Sequence, residues 1–212
     1  MRIVYIDCFL GFDASMLLGA LIDAGAEPVN IENKFKEAGI NVSLSVKATT
    51  RSSIECKKVS VLADAYEDIE RASKNDFVKK ILSELPPSEN TNEISALGVL
   101  FALEALEADY IVTSEISLGD NTDGNVLAIL SESGIETIPS ECNTNMMPAD
   151  AMLLSVLANE CGPKPDMDII SIGYGAGGHS TDEPNIVSVI IGSFDGDYLM
   201  EFSEREELIA ML

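Results

Sequence analysis

Cations and histidine are what this chain lacks. Its 212 residues carry 13 Lys plus Arg against 36 Asp plus Glu, for a formal charge of −23, and a single histidine, His179. A surface so charged repels phosphate backbones and anionic lipids, so nucleic-acid and membrane-surface partners are not expected. The acids are dispersed along the chain, not gathered into a tail, and read as a solvated surface or an adaptation to high intracellular salt before a store for cations. The four cysteines, Cys8, Cys56, Cys142 and Cys161, form no C-x-x-C pair. A zinc ribbon and a thioredoxin-like redox centre are thereby disfavoured, and free thiols in a reducing compartment are expected. No run approaches the roughly 20 apolar residues of a membrane span, and the start lacks a secretory signal pattern, so a cytoplasmic protein is expected. Hydrophobic residues still make up 46% of the chain, enough for a core without covalent staples.

The first 25 residues organise the remainder. Ile3-Val4-Tyr5-Ile6 is a short β-rich run of the kind covered on both faces, and Asp7 ends it. From Asp13 onward, Met16, Leu17, Ala20, Leu21 and Ala24 recur at helical spacing up to Gly25. Asp7 thus falls at the carboxyl end of a strand and before a helix, where open α/β sheets bind ligands. The alternative is that its carboxylate only accepts hydrogen bonds from the turn's own amides.

Pro28 opens a second helix that closes at Gly39. Residues 41–47 and 56–62 alternate as two antiparallel strands with one wet face, joined through Thr49 to Ser53. Tyr66 to Leu85 is helical, and Pro86-Pro87 with the polar residues up to Asn92 marks a linker or lobe boundary near 86–92. A buried helix from Thr91 to Leu106, a strand at 110–113, a polar loop from Leu118 to Gly124 and a helix from Val126 follow. Gly134 to Pro139 reads as a short strand, Cys142 to Met147 as an irregular loop, and Pro148 as the start of a helix ended by Gly162-Pro163.

Two strands, 167–172 and 186–191, flank a loop from Gly173 to His179. Gly173, Gly175 and Gly178 match the letters G-x-G-x-x-G, but that fingerprint needs a helix immediately afterwards, and a β-branched strand follows instead. The glycines therefore serve positive φ angles or a close backbone approach. His179 reads as a surface or internally satisfied residue, with a metal or proton-transfer role as the alternative. The fold class is α/β: a mixed open sheet with helices mainly on one face, one domain over residues 1–212 with two small lobes as the variant.

Three separated pieces resemble one family, the nickel-insertion proteins of the lactate racemase cofactor pathway. The first is carried by Asp7, Phe9, Gly11, Met16, Leu18, Gly19, Ala20, Leu21, Asp23 and Gly25, the second by Ala102, Leu103, Glu104, Leu106, Leu118 and Gly119. The third is Gly173-Tyr174-Gly175-Ala176-Gly177 with Pro184 and Asn185. Where the family has Ser, Gly and Asp before the methionine, this chain has Asp13, Ala14 and Ser15. The family's histidine clusters are missing, one of them from the region of Leu85, Pro86, Thr91 and Ser95, and so is its C-terminal half, which performs nucleotide-dependent metal insertion. Nickel favours nitrogen and sulfur donors, so the resemblance carries fold more safely than activity.

What the resemblance implies is an accessory protein of metal or nucleotide-cofactor assembly, with no catalytic residue assigned. Its ligand is held by Asp7, Gly11, Asp13, Gly119, Asn121, Gly173, Gly175 and Gly177. A divalent metal, nickel by resemblance, is held by Asp7, Asp13 and His179, with Asp120 as a further oxygen donor. A partner chain supplying the missing half and a homo-oligomer are the associated expectations. The competing readings are a non-catalytic paralogue that binds a partner protein, and a small-molecule enzyme using the same carboxylates as acid and base.

Overall fold

Alternation along β1 (Arg2–Asp7) turns Val4 and Ile6 to one face of a sheet and Ile3 and Tyr5 to the other, and all four are buried. That double burial explains the unbroken apolar run. The structure is a computed structural model that describes residues 1–9, 11–63, 92–139, 146–178 and 185–194. Its main sheet has seven strands in the order β2 (Val42–Arg51), β3 (Ile54–Ala63), β8 (Asp168–Ala176), β9 (Ile186–Ser193), β1, β4 (Tyr110–Thr113), β7 (Glu160–Cys161). Strands β3, β8, β1, β4 and β7 run one way, β2 and β9 the other, so the sheet is mixed. A second, parallel pair joins β5 (Ile116–Leu118) to β6 (Thr137–Pro139). The fold is α/β with a mixed open sheet, in agreement with the sequence.

Five helices are present among the described residues: α1 (Ala14–Asp23), α2 (Pro28–Glu37), α3 (Asn92–Ala105), α4 (Gly124–Ser133) and α5 (Pro148–Leu157). All five send side chains into one core, with Val4, Ile6, Val59, Val61, Val187, Val189 and Ile191 of the sheet. The helices thus gather over one face. The other face carries two smaller clusters, one around Ile3, Tyr5 and Val112 and one around Cys56, Ala176 and Ile186. Residues from both sides of position 86 share the main core. The expected helix 66–85 and the boundary up to residue 91 lie outside the described residues, as do Cys142, His179 and Pro184. Cys8, Cys56 and Cys161 are free thiols.

Four boundaries differ from the sequence reading. The hairpin strands run on to Arg51 and from Ile54, leaving only Ser52 and Ser53 in the turn, at φ 45° and 70°. Two positive φ angles are the mark of a turn that usually carries Asn-Gly, and serines in those places leave no such signal in the sequence. Leu118 closes β5 instead of opening a loop. Helix α5 stops at Leu157, before Gly162-Pro163, because residues 160–161 pair with β4 as β7. Most importantly, Gly173 to Ala176 is not loop: it is the second half of β8, paired with β9 through Ala176.

The reason lies in α1. A Cβ on Gly173 would stand 2.1 Å from the Ala20 carbonyl oxygen, and one on Gly175 would stand 1.8 Å from that of Met16. On the helix, a Cβ on Gly19 would come within 2.6 Å of the Lys57 carbonyl oxygen. Helix and sheet therefore touch backbone to backbone, the close approach that glycine permits. Positive φ plays no part, since among the described glycines it occurs at Gly11, Gly25, Gly39 and Gly134. The expected outcome of Gly175→Ala is a loss of about 3 kcal/mol or more, because the obstructing atoms are backbone and cannot swing aside. Gly178→Ala, where a Cβ meets nothing within 4 Å, should stay within about 0.5 kcal/mol of the parent. Urea unfolding of both variants checks this, and equal midpoints would show that α1 is free to lift.

Candidate functional site

The turn between β1 and α1 lies at the carboxyl edge of the parallel strands, the position where such sheets collect ligands. Three local features build it. Asp7 ends β1, and its Oδ1 accepts a hydrogen bond from the Phe9 amide at 3.1 Å. Gly11 has φ 109° and donates its N–H to the Cys8 carbonyl at 3.1 Å, a conformation that strains any side chain. Asp13 caps α1, with Oδ1 accepting from the Met16 amide at 2.8 Å and from the Ser15 hydroxyl at 2.6 Å. The turn is also tied sideways, since the Cys8 amide donates to Ser114 Oγ at 2.8 Å and the Ser114 amide to the Ile6 carbonyl at 2.9 Å.

The other expected site residues fall in different surroundings. Gly119 lies beyond β5, in a turn whose bonds are its own: its carbonyl accepts from both the amide and the hydroxyl of Thr122. Asn121 and Asp120 are exposed on that turn, and Asp123 caps α4. Gly173 and Gly175 give their open faces to α1. Gly177 donates to the Asn185 carbonyl at 3.0 Å, just past the end of β8. Because β8 runs parallel to β1, that end lies on the same edge as Asp7, and Asp7 and Tyr174 both pair with Ser188. Among the described residues, no three His, Cys, Asp or Glu side chains converge closely enough to hold a metal ion.

One carboxylate at this edge escaped the sequence reading. Asp150, in the first turn of α5, is 1% exposed. Its Oδ2 accepts from the Met147 amide at 3.3 Å, which caps its own helix, and its Oδ1 accepts from the Ala14 amide at 3.0 Å, the first residue of α1. A single buried side chain thus joins the positive ends of two helices. Its sequence signal was an acid two residues after a helix-opening proline, where it can bond back to the cap. Burial pushes its pKa up to about 7, and neighbouring Asp13 pushes the same way, while the two amide bonds pull down. Nearby, burial and then the Asp7 charge raise the Tyr5 hydroxyl to about 12, and burial lifts the Cys8 thiol well above its ordinary value. Cys8 is therefore an inert thiol, not a nucleophile.

The Asp150 shift makes stability depend on pH. The folded state keeps a proton that the unfolded chain releases near the ordinary aspartate value. This contribution is therefore complete below about pH 4 and is lost as pH rises through about 7, by on the order of 4 kcal/mol. Subtracting the denaturation curve of Asp150→Asn from that of the parent isolates this group from the charge repulsion of the whole protein. The difference should move against the parent between pH 4 and 7 and level off above. Parallel curves would show Asp150 to be charged throughout.

Comparison with known proteins then supplies the context. The model of the nickel insertion protein family matches residues 4–108 and 94–211. The pyridinium-3,5-bisthiocarboxylic acid mononucleotide nickel insertion protein of Acetivibrio thermocellus is 28% identical, over 91% of this chain and 61% of its own length. Proteins of the same name from Geobacillus kaustophilus and Thermotoga petrophila are 25% and 22% identical, over 91% and 98% of the chain and 60% and 64% of their own lengths. This chain thus spans a little over three fifths of these relatives. The alignments run over 249, 252 and 265 positions, longer than the chain itself, so the relatives carry inserted residues that it lacks. No solved structure matches it significantly. No helix among the described residues is long and apolar enough to cross a membrane. With a family model that accounts for nearly its whole length, the chain belongs to the nickel insertion protein family.

Proposed function

We propose that this chain is a divergent nickel-insertion protein acting as an accessory in metal or nucleotide-cofactor assembly, with its ligand at the Asp7–Asp13 turn. The observation that supports this is positional: a segment resembling the family's opening forms the β1–α1 turn, at the carboxyl edge and tied to β4 through Ser114. In this reading nickel is substrate, handled by Asp7 and Asp13 with His179. The mononucleotide that the relatives' names carry is the acceptor. Gly11 shapes the turn that faces it, Gly177 closes the end of β8 on the same edge, and Asn121 contributes from the outer turn. The metal site is a weak one, because Asp7 and Asp13 already accept bonds from amides and offer only oxygen, whereas nickel favours nitrogen and sulfur. An accessory role in a cytoplasmic assembly pathway, with a partner chain or with copies of itself, fits a weak site better than storage does.

The second reading is a protein-binding paralogue, and one observation favours it. Ile169, Ile170 and Ile172 of β8 and Leu62 of β3 are large apolar side chains left exposed. Titration of the metal-free protein with Ni²⁺, Mn²⁺, Mg²⁺ and Zn²⁺ separates the readings. Nickel binding should weaken about tenfold or more in Asp7→Ala, the loss of one charged ligand. Flat titrations of the parent would sink the metal site and leave the partner-binding reading.

A further inference from the structure

The hairpin β2–β3 carries an inverted charge balance. Residues 42–63 hold four cations, Lys47, Arg51, Lys57 and Lys58, and one acid, Glu55, in a chain where acids outnumber cations 36 to 13. Strand alternation sorts them further. Lys57 lies on the face covered by α1, 3.9 Å from Asp23, and Glu55 shares that face. Lys47, Arg51 and Lys58 lie on the opposite face, away from the main core, and none of the three has a carboxylate partner among the described residues. Lys47 and Lys58 are direct cross-strand neighbours, a pairing of like charges that costs stability unless an anion sits between them.

The neutral partners of these cations are instructive. Arg51 donates from Nη1 to Thr49 Oγ1 and to the Thr50 carbonyl, and from Nη2 to the Gly177 carbonyl. Its Nε is buried with no acceptor among the described residues. Lys58 donates one of its three protons to the Gly178 carbonyl. The cations therefore gather beside the end of β8, on the same sheet edge as the β1 exit. Tyr174, on that face of β8, packs against Cys56 of the hairpin and sets an aromatic ring beside the charges.

We propose that this face of the hairpin is an anion site that takes the phosphate of a pyridinium-type mononucleotide, with Lys47 and Lys58 as its charged contacts and Arg51 as a further donor. The proposal rests on the reading of the chain as a nickel-insertion protein, which supplies the ligand class, while the place comes from the charge distribution alone. A phosphate dianion between two lysines relieves their repulsion, and Arg51, which gives both Nη1 protons and one Nη2 proton to Thr49, Thr50 and Gly177, keeps one Nη2 proton for a further acceptor.

The test is calorimetric titration of the 212-residue protein with nicotinic acid mononucleotide at low salt. The parent should bind the mononucleotide about tenfold or more tightly than the riboside lacking the phosphate, and Lys47→Ala/Lys58→Ala should lose the same factor. Because that variant removes a like-charge pair, it should fold at least as well as the parent. Lys36→Glu, a charge change at an exposed position of α2, should stay within about twofold. A double variant that binds like the parent, a Lys36→Glu loss as large, or no binding by the parent would overturn the site. Nickel binding by the parent and by Asp7→Ala is scored separately. Lysine-dependent mononucleotide binding without Asp7-dependent nickel binding upholds the anion site and removes the metal-handling reading. Asp7-dependent nickel binding with mononucleotide binding indifferent to both lysines does the reverse.

Discussion

Everything at the carboxyl edge of the sheet depends on how closely α1 lies on β8. Helices normally rest on a sheet through side chains, about 10 Å from it, and here three glycines, Gly19, Gly173 and Gly175, remove that cushion. The helix axis is then set by backbone contact, which has no rotamers to adjust. A helix so fixed carries its N-terminus to one place, and with it the cap Asp13 and the turn back to Asp7. The Asp23 carboxylate at the other end accepts from the Tyr174 amide at 3.0 Å, so α1 is pinned to β8 by a polar bond as well.

The same rigidity concentrates carboxylates. Asp7, Asp13 and Asp150 all serve amide groups at the start of a turn or helix, where backbone donors have no other partner. Such duty is structural, and it competes with metal binding for the same oxygen atoms. Asp150 shows how the competition is resolved under burial: two amides favour its charge, but removal from water and the adjacent Asp13 outweigh them. A metal approaching this edge would have to displace amide bonds or use the lone pairs they leave free, which limits affinity.

How much of this was legible in the sequence follows from what each residue signals locally. The β1–α1 unit was readable, because an apolar run, a capping Asp13 and helical spacing all agree. So were α2 and α5, each opened by a proline at its first position. The glycine half of β8 was not. Glycine weakens any strand reading, and its reason for being there is a helix 150 residues away in sequence. Strand β7, at two residues, is held by pairing with β4 and has no pattern of its own. The alternative left open for the glycines was decided only by a tertiary contact, the backbone of α1, while the local bond from the Phe9 amide to Asp7 leaves the ligand role of that carboxylate a proposal. His179 lies outside the described residues, so its role stays where the sequence left it, as a proposed ligand.

Charge gives the last constraint. A chain at −23 draws divalent cations toward its whole surface and repels phosphorylated molecules from nearly all of it. A metal cation and an anionic ligand therefore place opposite electrostatic demands on such a surface. Sheet alternation offers a solution that needs no separate domain. In β3 the successive residues Lys57 and Lys58 face opposite sides: one neutralises Asp23 under the helix, and the other keeps its charge beside Lys47. Across that face the row runs from Thr49 through Cys56, Tyr174 and Ser188 to Asp7, so the cationic and carboxylate ends are separated by only four strand steps. At roughly 5 Å per step, that is about 20 Å. The interval exceeds the Debye length at physiological salt, so each end keeps its own sign of potential.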